Sequence, residues 1–270
     1  MPKKIQDVSP EHRCFLEMAT RCTTQVVIYG VASSGSEPLM RGTGFFLEHG
    51  ARSFVITNTH VLEHYSVGRE NGDEVSVQVW FGKRGPGSEI HGGCLVMPND
   101  KSSVVFGVPS LYNHRDIGLV ELTPEVAVLA RRTRDFINFD DLRDDLPTPN
   151  SVVFYKGYPA KSAEFHGPIQ EAMFGEWLDV RKVDKVSPQL IIAQPLIAVY
   201  RSAHFPEEDG KDLKGISGSA LMAADDLRVV GVVWGSQNDT VDSAIYAVPA
   251  ATLKELVIEY ESRNPNIGAV

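Results

Sequence analysis

Three short segments of this chain carry side chains that could act together on a carbonyl group. In Phe54-Val55-Ile56-Thr57-Asn58-Thr59-His60-Val61-Leu62, an apolar run ends in small polar residues and then presents a histidine. In Arg115-Asp116-Ile117-Gly118-Leu119-Val120, an aspartate stands at the mouth of an apolar run. In Lys214-Gly215-Ile216-Ser217-Gly218-Ser219-Ala220-Leu221, a serine is flanked by glycines and leads into another apolar run. Singly, each has a plain structural reading as a turn or cap. Their conjunction in one chain, each at the end of a β-type run, points to chemistry.

The residue types fit nucleophilic catalysis. A serine hydroxyl is a weak nucleophile near neutral pH and needs an adjacent base. Histidine, with an unperturbed pKa of about 6.5, can serve. A carboxylate on the second ring nitrogen holds the imidazole in one tautomer. The oxyanion of a tetrahedral intermediate needs donors aimed in advance, and backbone N–H groups supply them without reorganisation. Gly215 and Ser217 are placed to donate two such N–H groups, and glycine at 215 lets the loop turn its amide inward.

Chain order separates the rival hydrolases. Here it is His60, Asp116, Ser217. An α/β-hydrolase runs serine, acid, histidine, and no histidine follows His204. A subtilisin order needs an aspartate before the histidine, and only Asp7, near the N-terminus, precedes His60.

The elements that must hold these side chains are short and β-type. Residues 9–22 read as a helix, with Ser9 as cap and Pro10 in the first turn. Period-two runs follow at 24–31, 42–47, 53–57, 75–81, 93–97 and 117–122, separated by turn residues such as His49-Gly50 and Asn71-Gly72-Asp73. Residues 123–150 are charged, end Leu-Pro-Thr-Pro-Asn and read as a connector. A second β set covers 151–157, 171–183, 190–199, 220–222, 229–234 and 244–248. A helix at 249–263 closes the pattern, with Leu253, Leu256, Val257 and Tyr260 on one face. Many short strands without alternating helices argue for sandwiches or barrels and against a parallel α/β sheet. The resulting division is a tail and helix at 1–23, a β unit at 24–124, a linker at 125–150, a second β unit at 151–250 and a C-terminal helix and tail at 251–270.

Composition narrows the partners. The net charge is −9 and no basic stripe interrupts it, which argues against nucleic-acid binding. The acidic group Asp135, Asp140, Asp141, Asp144 and Asp145 reads as a solvated linker face. Three cysteines, Cys14, Cys22 and Cys94, form no disulfide or zinc pattern and suit a reducing, cytoplasmic compartment. No signal-peptide core and no run of about 18 apolar residues is present, so no membrane span is expected.

The three segments resemble the signature segments of trypsin-like (chymotrypsin-fold) serine peptidases, closest to the bacterial HtrA-like and V8-like group. Gly42-Thr43-Gly44-Phe45-Phe46 resembles the strand before the histidine in that family. The resemblance covers about residues 24–262. It implies an all-β fold of two antiparallel β-barrels with short N-terminal and C-terminal helices. His60 and Asp116 would come from the first barrel, Ser217 from the second, and the oxyanion donors would be Gly215 and Ser217. It implies that Val233, Trp234 and Gly235 lie on the strand that pairs with extended substrate. Lys211 and Asp212 would lie at the base of the specificity pocket, with Ala244 and Tyr246 on its wall. One departure stands out. The family's zymogens carry an aspartate before the serine, which pairs with a new N-terminus; here that residue is Ile216.

Two other readings compete. His60-Val61-Leu62-Glu63-His64 matches the H-x-x-E-H pattern of inverted zincins. The motif follows directly on a strand and runs into Ser66-Val67-Gly68, which leaves little room for a long helix. The other competitor is a catalytically silent protease fold kept as a binding module. The favoured expectation is a serine endopeptidase acting on protein or peptide through an acyl-enzyme, with no cofactor and no metal. Residues 200–214 are a candidate regulatory loop, with a regulatory protein partner conceivable.

Overall fold

Alternating apolar side chains become strands close to where the pattern puts them. The structure, a computed structural model, describes residues 17–30, 39–71, 75–80, 83–84, 90–91, 94–97, 115–148, 151–158, 174–184, 196–201, 215–236 and 245–265. Of the helix expected at 9–22, residues 17–22 (α1) are helical and the rest lie outside the described residues.

The first half comprises β1 (Thr23–Gly30), β2 (Met40–His49), β3 (Arg52–Thr57), β4 (Val75–Trp80), a small hairpin of β5 (Lys83–Arg84) and β6 (Ile90–His91), β7 (Cys94–Met97) and β8 (Gly118–Leu122). Its main sheet runs β7-β4-β1-β2-β3-β8, all antiparallel. β9 (Ile137–Asn138) adds to β2 in parallel. The second half comprises β10 (Val152–Gly157), β11 (Phe174–Asp184), β12 (Leu196–Arg201), β13 (Ala220–Ala223), β14 (Val229–Ser236) and β15 (Ile245–Pro249). Their antiparallel pairings run β10-β11-β12-β15-β14-β13, and β13 pairs back to β10. The expectation of two closed barrels is therefore met by one ring. Among the described residues the first sheet is an open path, with β7 and β8 at its ends.

Period two distributes the side chains between separate cores. From β2 and β3, Phe46 and Val55 enter a cluster with Val26, Ile28, Val77, Val79 and Val120 inside the first half. Their neighbours Phe45, Leu47, Phe54 and Ile56 point the other way. They join Phe154, Met222, Val232 and Val248 of the second half. Strands buried on both faces read as near-continuous apolar runs, as β2 and β3 do. The second ring encloses its own cluster, including Val153, Tyr155, Ile197, Val199, Leu221 and Val233.

Two helices depart from expectation. The stretch after His60, read as too short for a long helix, forms α2 (Thr59–Glu70), 12 residues in length. Val61, Leu62 and Tyr65 bury one side of it, with Gly68 closing against Val75. That spacing is helical, and the tertiary contact outweighs the poor intrinsic propensity of the sequence. The connector also holds α3 (Pro124–Arg131), started by Pro124 in its first turn and burying Ala127 and Ala130. The acidic residues near it are largely paired: Asp135 with Arg21 at 2.8 Å, Asp145 with Arg143 at 2.6 Å and Asp144 with Lys254 at 2.9 Å.

The C-terminal helix α4 (Ala250–Arg263) spans the seam between the halves. Leu253, Leu256, Val257 and Tyr260 enter the shared cluster. A buried polar network fixes its far end. Arg52 grips Glu121 with two bonds of 2.7 and 2.8 Å, and the Tyr260 hydroxyl donates to the same carboxylate at 2.6 Å. Arg52 also donates to the carbonyl of Asn264 at 3.0 Å. Burial, then the Glu121 carboxylate, push the Tyr260 phenol well above its ordinary range. Among the described residues no helix is long and apolar enough to cross a membrane.

Removing one member of the Arg52–Glu121 pair strands the other in the seam. Arg52→Met or Glu121→Leu is expected to lower unfolding free energy by about 3–5 kcal/mol in urea titrations. The double variant should recover much of that loss. Additive losses in the double-mutant cycle would refute the coupling.

Candidate active site

The strand β3 delivers the histidine. It ends at Thr57, and buried Asn58 turns the chain into α2, where His60 occupies the first turn. Asn58 donates from Nδ2 to the Asp116 carbonyl at 2.7 Å, which fastens the start of α2 to the mouth of β8. The Asp116 carboxylate then serves two donors. One oxygen accepts the His60 backbone N–H at 2.8 Å, and the other lies 2.6 Å from His60 Nδ1. An ionised carboxylate only accepts, so the bond needs the proton on Nδ1, and a neutral ring held this way has its lone pair on Nε2. Negative charge at the first turn of a helix is also favoured by the helix dipole. Asp116 is 7% exposed and sits at φ 45°, in the left-handed region that aspartate tolerates better than most residues. The side chain of His60 is 35% exposed.

The serine loop is fastened on both sides. Towards the first half, Thr43 N–H donates to the Ser217 carbonyl at 2.9 Å and Thr43 Oγ1 donates to the Gly215 carbonyl at 2.8 Å. Thr57 Oγ1, three residues before His60, donates to the Thr43 carbonyl at 2.7 Å. Towards the second half, Gly218 N–H donates to Val233 and Val233 N–H to Ser219, each at 2.8 Å. Gly215 and Gly218 both have φ 93°. Ile216 is fully buried inside the second ring, with Leu221 and Val233 in the same cluster. The Ser217 hydroxyl donates to the Trp234 carbonyl at 3.0 Å and not to His60.

His60 and Asp116 are thus directly bonded, and the Ser217 loop is docked on the strand ends that lead to His60. Val233, Trp234 and Gly235 lie on β14 beside Ser217. Gly235 has φ 151°, and the β14–β15 register shifts between Val233 and Gly235. Past Val232, β14 pairs with β15 and, at Val233, with Gly218 and Ser219 of the serine loop, because its register with β13 starts at Ala220↔Val232. Lys211, Asp212 and Ala244 lie outside the described residues, as does 202–214 of the candidate regulatory loop. Tyr246 lies on β15.

The zinc pattern does sit on a helix, contrary to expectation. His64 and Glu63 are exposed on it, however, and among the described residues no group of three or more His, Cys, Asp or Glu could hold a metal ion. Cys22 is a buried free thiol whose pKa burial pushes up to about 12. Sequence reasoning missed Asn58, Thr57, Thr43 and Ser219 as the groups that hold the site. The available signal was small hydroxyl residues between glycines, as in Gly42-Thr43-Gly44.

Gly218 tests the docking of the loop. A Cβ there would lie 2.0 Å from the Thr43 carbonyl oxygen and 2.6 Å from Thr57 Oγ1, and φ is left-handed. At Gly50, φ is also positive, 58°, but nothing lies within 4 Å. Gly50→Ala should cost about 1–2 kcal/mol. Gly218→Ala should cost several times more or displace the loop, as read by urea unfolding and by amide exchange at Ser219 and Val233. Equal costs at the two positions would refute the close approach.

No family model matches the sequence, and no curated protein matches it. Solved structures do. Deg5 aligns with a TM-score of 0.55 at 11% identity, over 92% of this chain and 94% of that one. The active form of the M. tuberculosis protease Rv3671c aligns with a TM-score of 0.54 at 14% identity, over 92% and 86%. The HtrA-type protease AlgW, solved with a tripeptide, aligns with a TM-score of 0.54 at 11% identity, over 92% of this chain and 62% of that one. Antiparallel sheets, few helices and these likenesses together give this chain the trypsin-like serine peptidase fold.

Proposed function

We propose that this chain is a serine endopeptidase in which Ser217 attacks, His60 carries the proton and Asp116 orients His60. The observation that carries the reading is the two-point hold of Asp116 on His60, at 2.8 Å to the backbone and 2.6 Å to Nδ1. That hold leaves Nε2 as the free base, on strand ends to which the Ser217 loop is bonded through Thr43 and Thr57.

In the proposed reaction the Ser217 hydroxyl turns from Trp234 towards His60. Its oxygen forms a bond to the scissile carbonyl carbon while the proton passes to Nε2. The carbonyl electron pair moves to oxygen, where the N–H groups of Gly215 and Ser217 receive it. Collapse re-forms the carbonyl and breaks the C–N bond, and the amine leaves with the proton from His60. Water then attacks the acyl ester, its proton passing to His60 and from there to Ser217 as the acid departs.

The substrate of this reading is an extended protein or peptide segment. The side of β14 beside Ser217, at Trp234 and Gly235 beyond the bonded Val233, suits addition of such a strand. The tripeptide in the AlgW structure favours the same chemistry by likeness. Lys211, Asp212 and Ala244 remain the proposed determinants of side-chain choice. A free Cys22 thiol is compatible with the reducing, cytoplasmic setting proposed from the cysteine pattern.

One observation speaks for the silent binding module, namely the Ser217 hydroxyl bonded to a carbonyl instead of to His60. A fluorophosphonate probe separates the readings. Ser217 should be labelled in the wild type, and labelling should vanish in Ser217→Ala and His60→Ala. Hydrolysis of casein should fall by about 10⁶ for either change. It should fall by about 10⁴ for Asp116→Asn, which spoils the tautomer and leaves the geometry. EDTA should change none of these rates. A wild type that neither labels nor cleaves supports the silent module, and loss of activity in EDTA supports the zinc reading.

A further inference from the structure

Two buried hydroxyls that the proposed mechanism does not use lie side by side under the serine loop. Ser219 is fully buried, and its Oγ donates to the Ile216 carbonyl at 2.6 Å; its own N–H adds a second bond to that carbonyl at 3.0 Å. Thr43, also fully buried, donates from Oγ1 to the Gly215 carbonyl at 2.8 Å. Thr43 Oγ1 accepts the Tyr158 N–H at 2.9 Å in turn, so this hydroxyl is used as donor and acceptor at once. Both oxygens stand over Gly157, where a Cβ would lie 2.5 Å from Ser219 Oγ and 3.0 Å from Thr43 Oγ1. β10 therefore leaves room for the pair only because residue 157 lacks a side chain.

These bonds reach the reacting centre through peptide geometry. A peptide unit is planar and trans, so its C=O and N–H point in opposite directions. Holding the Ile216 carbonyl inward on Ser219 turns the Ser217 N–H outward. Holding the Gly215 carbonyl on Thr43 fixes the preceding peptide plane, which carries the Ile216 N–H and joins Gly215, at φ 93°, to the plane of the Ser217 N–H. The two planes that flank Ile216 are then both set, and burial of the Ile216 side chain pins the atom between them.

We propose that Thr43 and Ser219 are positioning residues for the oxyanion donors: Ser219 aims the Ser217 amide through the plane they share, and Thr43 holds the adjoining plane between Gly215 and Ile216, neither touching substrate. The inference rests on the serine peptidase reading. Loss of a direct oxyanion donor costs about 10²–10³ in rate. Loss of a group that only aims one should cost less, so about 10–100-fold is expected for either hydroxyl.

The test is saturation kinetics of Ser217 phosphonylation by fluorophosphonate–rhodamine, which separates probe binding (KI) from the covalent step (kinact). That step forms the Ser217 O–P bond as the hydroxyl proton passes to His60, and breaks the P–F bond with fluoride leaving, while charge develops on the phosphonyl oxygen that faces the same amides. Ser219→Ala and Thr43→Val should lower kinact per folded molecule by 10–100-fold with KI unchanged within about threefold. Thr43→Ser, which keeps the hydroxyl, should restore the wild-type rate. A purely structural role would lower the melting temperature and the labelled fraction but leave kinact of the folded fraction intact. If Thr43→Val does not fold, Ser219→Ala and Thr43→Ser still decide the matter, since each is a smaller change. Wild-type kinact in Ser219→Ala, with the wild type itself labelled normally, overturns this inference alone. A wild type that never labels overturns the peptidase reading and this inference with it.

Discussion

The site depends on the close approach of two backbones at Gly218. Its α-carbon faces the Thr43 carbonyl so closely that a Cβ would stand 2.0 Å from that oxygen. This is where the halves of the chain meet behind the serine. The same Thr43 carbonyl accepts Thr57 Oγ1, and Thr57 stands three residues before His60. The relation between serine and histidine is thus carried by main-chain atoms and short hydroxyl side chains. Such groups have few rotamers to lose, so little entropy opposes a fixed geometry. A longer side chain at either position would add freedom where the serine loop meets the strand end that leads to His60.

A seam held that closely needs support at a distance from it. The shared apolar cluster of Phe45, Phe54, Phe154, Met222 and Val248 supplies most of it. Apolar burial is non-directional and does not by itself stop one sheet sliding over another. The bonds at the far end of α4 are directional. Tyr260 and Arg52 converge on one carboxylate, Glu121, and Arg52 reaches Asn264 beyond the last helical turn. Glu121 lies on β8, the strand whose mouth carries Asp116. A shift of α4 would therefore pull on the strand that holds Asp116 against His60.

Much of this was legible in the residues, for definable reasons. Strands buried on both faces announce themselves as apolar runs, and every period-two run meets a strand over its described residues. The His60–Asp116 bond followed from chemical type and chain order. The helix after His60 was not legible, because Ser66, Val67 and Gly68 argue against helix locally. What makes it helical is Val61, Leu62 and Tyr65, at helical spacing, finding the first core, a tertiary contact that outweighs the local signals. The connector hid α3 for the opposite reason, since its charges suit a solvated linker and only Pro124 and the small buried Ala127 and Ala130 mark the helix. The left-handed conformation of Asp116 could not be seen at all, because aspartate permits it without requiring it.

The residue before the serine shows how a departure from a family pattern can be read physically. An aspartate at 216 would place a carboxylate among Val153, Tyr155, Ile197 and Leu221, where only a buried cation could compensate it. Isoleucine needs no such partner and is held by the surrounding side chains alone. The Gly215 and Ile216 carbonyls on either side are met by hydroxyls from Thr43 and Ser219. Every force on the loop is then apolar burial or a neutral hydrogen bond within the described residues. None of them waits on the titration of a charged group. The arrangement of the serine loop is in this way a consequence of closing the second ring against β2, set by the same contacts that make the fold.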